Sequence, residues 1–122
     1  MKFLDNFKKN FETSDNSDSQ ELCSHYYRAK ANDGLKAIKE LIVEMNAKLI
    51  DENNDYLEIL FEGLDYSCTA KITSTTPVEI GIDFNIITYN FISFGKGMKL
   101  IKSFYEYLDK KLPLKGISLY RG

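Results

Sequence analysis

Residues 78–94 constrain the fold more than any other stretch of the chain. Val78, Ile80, Ile82, Phe84 and Ile86 alternate with Glu79, Gly81, Asp83 and Asn85, after which the parity changes to Ile87, Tyr89 and Phe91. Period-two alternation buries one face of a strand and wets the other, so this segment belongs to an antiparallel sheet covered on one side. The parity change has two readings. It marks a β-bulge in one long strand, or a tight connection at Asp83 to Asn85 between two strands.

The preceding sequence supplies partners for that strand. Leu49 and Ile50 run into the turn cluster Asp51-Glu52-Asn53-Asn54-Asp55, and Leu57, Ile59 and Phe61 then alternate with Glu58 and Glu62, which is a hairpin signature. Tyr66, Cys68, Ala70 and Ile72 oppose Ser67, Thr69, Lys71 and Thr73 in the next strand, and Thr75-Thr76-Pro77 turns the chain again. Helical spacing takes over elsewhere. Leu22, Tyr26 and Ala29 share one helical face behind the capping residues Ser17 and Ser19, and Leu35, Ile38, Leu41, Ile42 and Met45 share another. Asn32-Asp33-Gly34 between them leaves one bent helix or two. Met98, Ile101, Phe104, Tyr105 and Leu108 form a later amphipathic helix closed by Pro113, and Ile117 and Leu119 suit a last short strand. The expected class is α+β, an antiparallel sheet of four to six strands with helices packed on one face.

At 122 residues the chain is the size of a single domain. Its first segment, residues 1–12, places Phe3, Leu4, Phe7 and Phe11 in one stripe at helical spacing, which predicts a short amphipathic N-terminal helix. A helix so short is marginal in water and needs a surface to lie on, either a partner or its own sheet. Residues 13–20 are wholly polar and read as a linker, leaving 21–122 as the α+β domain.

Charge is segregated. Residues 47–95 carry two lysines against eight acidic residues, whereas residues 96–122 carry seven basic residues against two acidic ones. Neighbouring segments of opposite sign neutralise locally, or they present a charged face to a partner. A net charge of −2 and a single Arg in the basic segment speak against nucleic acid. No apolar run approaches the ~18 residues of a bilayer span, and the early Asp5, Lys8 and Lys9 deny the N-terminus a secretory core, so the chain reads as cytoplasmic and not integral to a membrane.

Motifs for chemistry are sparse. Asp51, Asn53, Asp55 and Glu62 match ligand positions 1, 3, 5 and 12 of an EF-hand loop, but Tyr56 stands where that loop needs glycine and strand alternation follows, so a solvated hairpin turn is expected instead. The strand-to-helix turn Gly95-Lys96-Gly97, with Lys99 beyond, is a place for an anion, although it matches neither phosphate-loop pattern. Sharp chain reversal is the competing reason for its glycines. His25 is the only histidine and cannot share an ion with Cys23 two residues away on a helix, and the two cysteines read as small hydrophobes. Glu58 and Glu62 are about 13 Å apart along a strand, too far for a glycosidase pair. No catalytic set, metal site or cofactor motif emerges. The expected function is non-enzymatic association with another protein or a second copy through Phe3, Leu4, Phe7 and Phe11; the alternative is a small anionic or phosphorylated ligand at Gly95, Lys96, Gly97 and Lys99.

Overall fold

The computed structural model describes residues 9–17, 19, 22–89 and 95–120. Among them are seven strands, β1 (Lys9–Glu12), β2 (His25–Tyr27), β3 (Lys48–Asn53), β4 (Glu58–Glu62), β5 (Tyr66–Thr76), β6 (Glu79–Thr88) and β7 (Leu114–Ile117), and two helices, α1 (Ala31–Glu44) and α2 (Lys96–Lys111). One antiparallel sheet runs β3-β4-β5-β6-β2-β7, with β1 also paired to β6. Both helices pack on one face, so the expected α+β architecture is present. The sheet has more strands than expected because two segments read as helical contribute β1 and β2.

Both departures have the same cause. Phe11 pairs with Ile86 and packs inward, and Tyr26 pairs with Gly81 between the inward-facing His25 and Tyr27. Each helical reading rested on three or four apolar residues, too few to outweigh the pairing that the free edge of β6 offers. Of the helix expected over residues 1–12, the last four residues are therefore strand, and residues 1–8 lie outside the described residues. The helix expected around Leu22, Tyr26 and Ala29 is absent, and a single helix follows from Ala31.

β6 is continuous and regular from Ile80 to Thr88, with neither a bulge nor a turn at Asp83 to Ile87. Ile80, Ile82, Phe84, Ile86 and Thr88 face the helices, while Ile87 and Tyr89 are simply exposed apolar residues on or beside the outer face. The irregularity in this hairpin falls instead near Thr75, where the β5 register shifts between Ser74 and Thr76. β1 and β2 lie in line along the same edge of β6, covering Asn85 to Thr88 and Ile80 to Ile82 respectively.

The core joins Ile59, Phe61, Cys68, Ala70, Ile72 and the inward residues of β6 to Leu35, Ile38, Leu41 and Ile42 of α1 and Ile101, Phe104, Tyr105 and Leu108 of α2. Gly34 sets the approach of α1. A Cβ there would lie 2.5 Å from Ile80 Cδ1 and 3.0 Å from Ile72 Cδ1, so the helix backbone rests directly on the sheet. The Lys30 N–H donates to Asp33 Oδ2 at 3.3 Å at the start of α1. At its end Asn46 takes a φ of 54° and the Ala47 N–H reaches back to the Ile42 carbonyl.

Candidate functional site

β3 and β7 end the main strand order and meet solvent along one side each. β3 is guarded: its register with β4 shifts between Leu49 and Asp51, and Lys48, Asp51 and Glu52 line it. Bulges and charges are the usual protection of a free edge. β7 has the same kinds of protection in smaller measure, a register shift against Tyr26 and Tyr27 and the single charge of Lys115. It pairs with β2 alone among the described strands, and Leu114, Ile117, Leu119 and Tyr120 in and beyond it are 39–51% exposed.

A buried carboxylate fixes this edge. Glu79, at the start of β6, is 5% exposed and accepts hydrogen bonds from Lys115 of β7, Tyr120 of the tail and Thr75 of β5. The Lys115, Thr75 and Tyr120 donors hold its carboxyl down to about 2, so it stays ionised. Tyr120 also meets Tyr26 edge-on at 5.0 Å, and the Ser118 N–H donates to the Ser24 carbonyl at 2.9 Å. Because Ser118 faces β2 in this way, alternation along an antiparallel strand turns the N–H of Ile117 toward the open side.

Two cavities flank this region. One, of about 550 Å³, is lined by residues that include Arg28, Lys30, Val78, Glu79 and Lys115. The other, of about 390 Å³, includes Arg28, Lys36, Glu40, Lys111 and Pro113. Asp33 borders both, with its carboxylate already engaged at the start of α1.

A separate polar cluster occupies the break between β1 and β2. Thr13 and Ser24, where the chain leaves and rejoins the edge of β6, both donate to Asp83 Oδ1, and Thr13 Oγ1 accepts the Phe84 N–H at 2.9 Å. Burial raises the Asp83 carboxyl against the lowering effect of those two hydroxyls. On the helix side, His25 Nδ1 and the Tyr27 hydroxyl share Asp109 Oδ1 at 3.0 and 2.7 Å. These contacts replace backbone pairing lost at the break and join β2 to α2. Thr13 and Asp83 also line a cavity of about 360 Å³, together with Glu12, Glu58, Lys71 and Asn85.

Of the residues expected to bind a partner, Phe3, Leu4 and Phe7 lie outside the described residues. Phe11 is turned inward, its ring against α2 where a Cβ on Gly97 would lie 2.1 Å from Phe11 Cδ2. That ring is committed to its own domain. Gly95, Lys96, Gly97 and Lys99 do come together in the first turn of α2, with Gly97 buried beneath Phe11 and Lys99 exposed. Close packing thus accounts for Gly97, and only the helix start marks an anion position.

The acidic hairpin turn is the solvated turn expected of it. Asn53 Oδ1 accepts the N–H groups of Asp55 and Tyr56, and Glu62 sits at the far end of β4 from the turn. No group of three or more metal-ligating side chains occurs among the described residues. Cys23 and Cys68 are buried free thiols, and burial pushes the Cys68 thiol up. His25 is buried and stands in β2 instead of on a helix. The β7 edge escaped the sequence reading because exposure of Leu114 and Ile117 depends on strand order, although a short strand near Ile117 was expected.

Fold and edge together define a small α+β domain with a two-helix layer on one face of its sheet. No family model, no curated protein and no solved structure matches the chain.

Proposed function

We propose that this chain is a small, non-enzymatic cytoplasmic interaction domain that holds another protein along the open edge of β7. The observation that carries this reading is an edge that is both open and anchored: β7 pairs with β2 alone among the described strands and leaves Leu114 and Ile117 exposed, while Lys115 ties it to the buried Glu79. An edge strand offers unpaired N–H and C=O groups as a template for an added strand, so one left open is a docking element or an aggregation hazard. Fixing the edge in advance lowers the ordering cost of binding.

Site-specific photo-crosslinking in the native cytosol tests the reading. A crosslinker at position 117 should capture a discrete partner that a crosslinker at the exposed Glu106 of α2 does not. The capture should disappear when the position-117 probe is combined with Leu119→Asp in a folded protein. Equal capture from both positions, or none from position 117, would overturn the proposal. The alternative, an anionic ligand at Gly95 to Lys99, has only the start of α2 in its support.

A further inference from the structure

We infer that the face of the sheet turned away from the helices binds a small organic cation, held by its guanidinium group in the cavity bordered by Glu12, Glu58 and Asp83. The site is separate from the β7 edge and stands without the docking reading. Strand register builds it. Glu58 of β4 stands opposite Lys71 of β5, which stands opposite Asp83 of β6, and Leu60, Thr69, Asn85 and Glu12 of β1 form the next row. Residues directly opposite one another share a face about 5 Å apart. Ile59, Ala70 and Phe84, the row between, are buried against the helices, so both polar rows look outward. The cavity they border, about 360 Å³, is large enough for a small ligand.

What the site lacks is donors. Thr13 and Ser24 both donate to Asp83 Oδ1, which leaves Oδ2 for the cavity. Asn85 Oδ1 is buried without a hydrogen-bond partner, and so is Oδ1 of Asp15, whose charge reaches Asp83. Buried acceptors without donors are rare in folded proteins and point to a missing partner. Burial, with the charges of Asp15 and Glu12, raises the Asp83 carboxyl against its two hydroxyl donors, as expected of a carboxylate short of a cation. Lys71 is exposed and, like Glu12 and Glu58, takes part in no ion pair among the described residues. The register adds Asp51 and Glu62 against Lys48 to the same face, which therefore stays acidic around the cavity. A guanidinium suits these acceptors better than a metal ion or an ammonium. The described acidic side chains form no group able to close on one ion, whereas a planar guanidinium carries more N–H donors than an ammonium and spreads them toward several carboxylates.

Binding is read from amide shifts of the isotope-labelled full chain at physiological ionic strength. The probes are agmatine, cadaverine as its ammonium counterpart of equal charge, calcium chloride, and the peptide Gly-Ser-Arg-Ser-Gly. Agmatine should saturate, move amides within residues 12–13, 69–71 and 83–85, and bind at least ~5-fold more tightly than cadaverine. Asp83→Asn and the exposed Glu12→Gln should each weaken it by at least ~5-fold, while Asp51→Asn, beyond Leu60 on the same face, should leave it unchanged. Equal affinity for cadaverine, or equal weakening by Asp51→Asn, would reduce the attraction to diffuse charge and overturn the inference. Tighter binding of the peptide than of agmatine would give the cavity to a partner's arginine, and tighter binding of calcium would give it to a metal, and either overturns the inference. So would the absence of any shift within residues 83–85.

Discussion

His25 and Tyr105 lie face to face, with ring centroids 3.7 Å apart and planes 5° from parallel. The stack joins β2 to α2, and the Tyr105 hydroxyl continues inward to donate to the Ile82 carbonyl at 2.7 Å. Asp109, one turn further along α2, completes the join by accepting from Tyr27 and meeting His25. Asp109→Ala would leave both groups without this partner, one of them fully buried. The substitution should cost about 2 kcal/mol, measured by urea denaturation, whereas Asp109→Asn should cost less because its amide oxygen can still accept.

Glu79 gives the fold an acid dependence whose sign follows from its depressed carboxyl. Its contribution is fully present above the ordinary value of 4.5 and is lost as pH falls toward about 2. Glu79→Gln should therefore flatten the loss of stability across that window. Urea midpoints at about pH 5 and about pH 2.5 measure it, and a variant as acid-sensitive as the parent would remove Glu79 from the account.

Gly34→Ala should be destabilising even though alanine is the better helix former. The added methyl meets Ile80 and Ile72 side chains at 2.5 and 3.0 Å, and overpacking of this kind costs about 1–3 kcal/mol. Equilibrium unfolding of the single variant checks this.

Ser118→Gly should stabilise the protein by about 1 kcal/mol. Ser118 has a φ of 55°, and its Oγ is buried without a hydrogen-bond partner, so the side chain is unfavourable on two counts. A melting temperature that falls instead would show that the hydroxyl has a role the geometry does not reveal.

The central strands and both helices were legible because their burial follows period. Glu58 to Glu62, Tyr66 to Ile72 and Ile80 to Ile86 alternate over enough residues to fix the inward face, and Leu35 to Ile42 and Ile101 to Leu108 do the same at helical spacing. β1 and β2 were not legible, since four-residue and three-residue strands are set by the edge that receives them. Ile87 and Tyr89 misled for a related reason, being apolar residues left exposed. The candidate site was hidden further still. Its anchor, Glu79, lies 36 residues from Lys115 and 41 from Tyr120. Neither spacing carries a local pattern.

The divided edge of β6 has a consequence for how the molecule assembles and comes apart. β3 to β6 pair with their neighbours in sequence, so that meander closes only short loops, whereas Thr13 must find Asp83 across 70 residues and Ser24 must find it across 59. Loop-closure entropy makes such distant pairings late to form. The meander is thus the part that collects first, and the two short strands are added to it as separate closures. Tension applied at the N-terminus meets them in the order β1, then β2, so the chain should shed its edge in two steps before the helices leave the sheet.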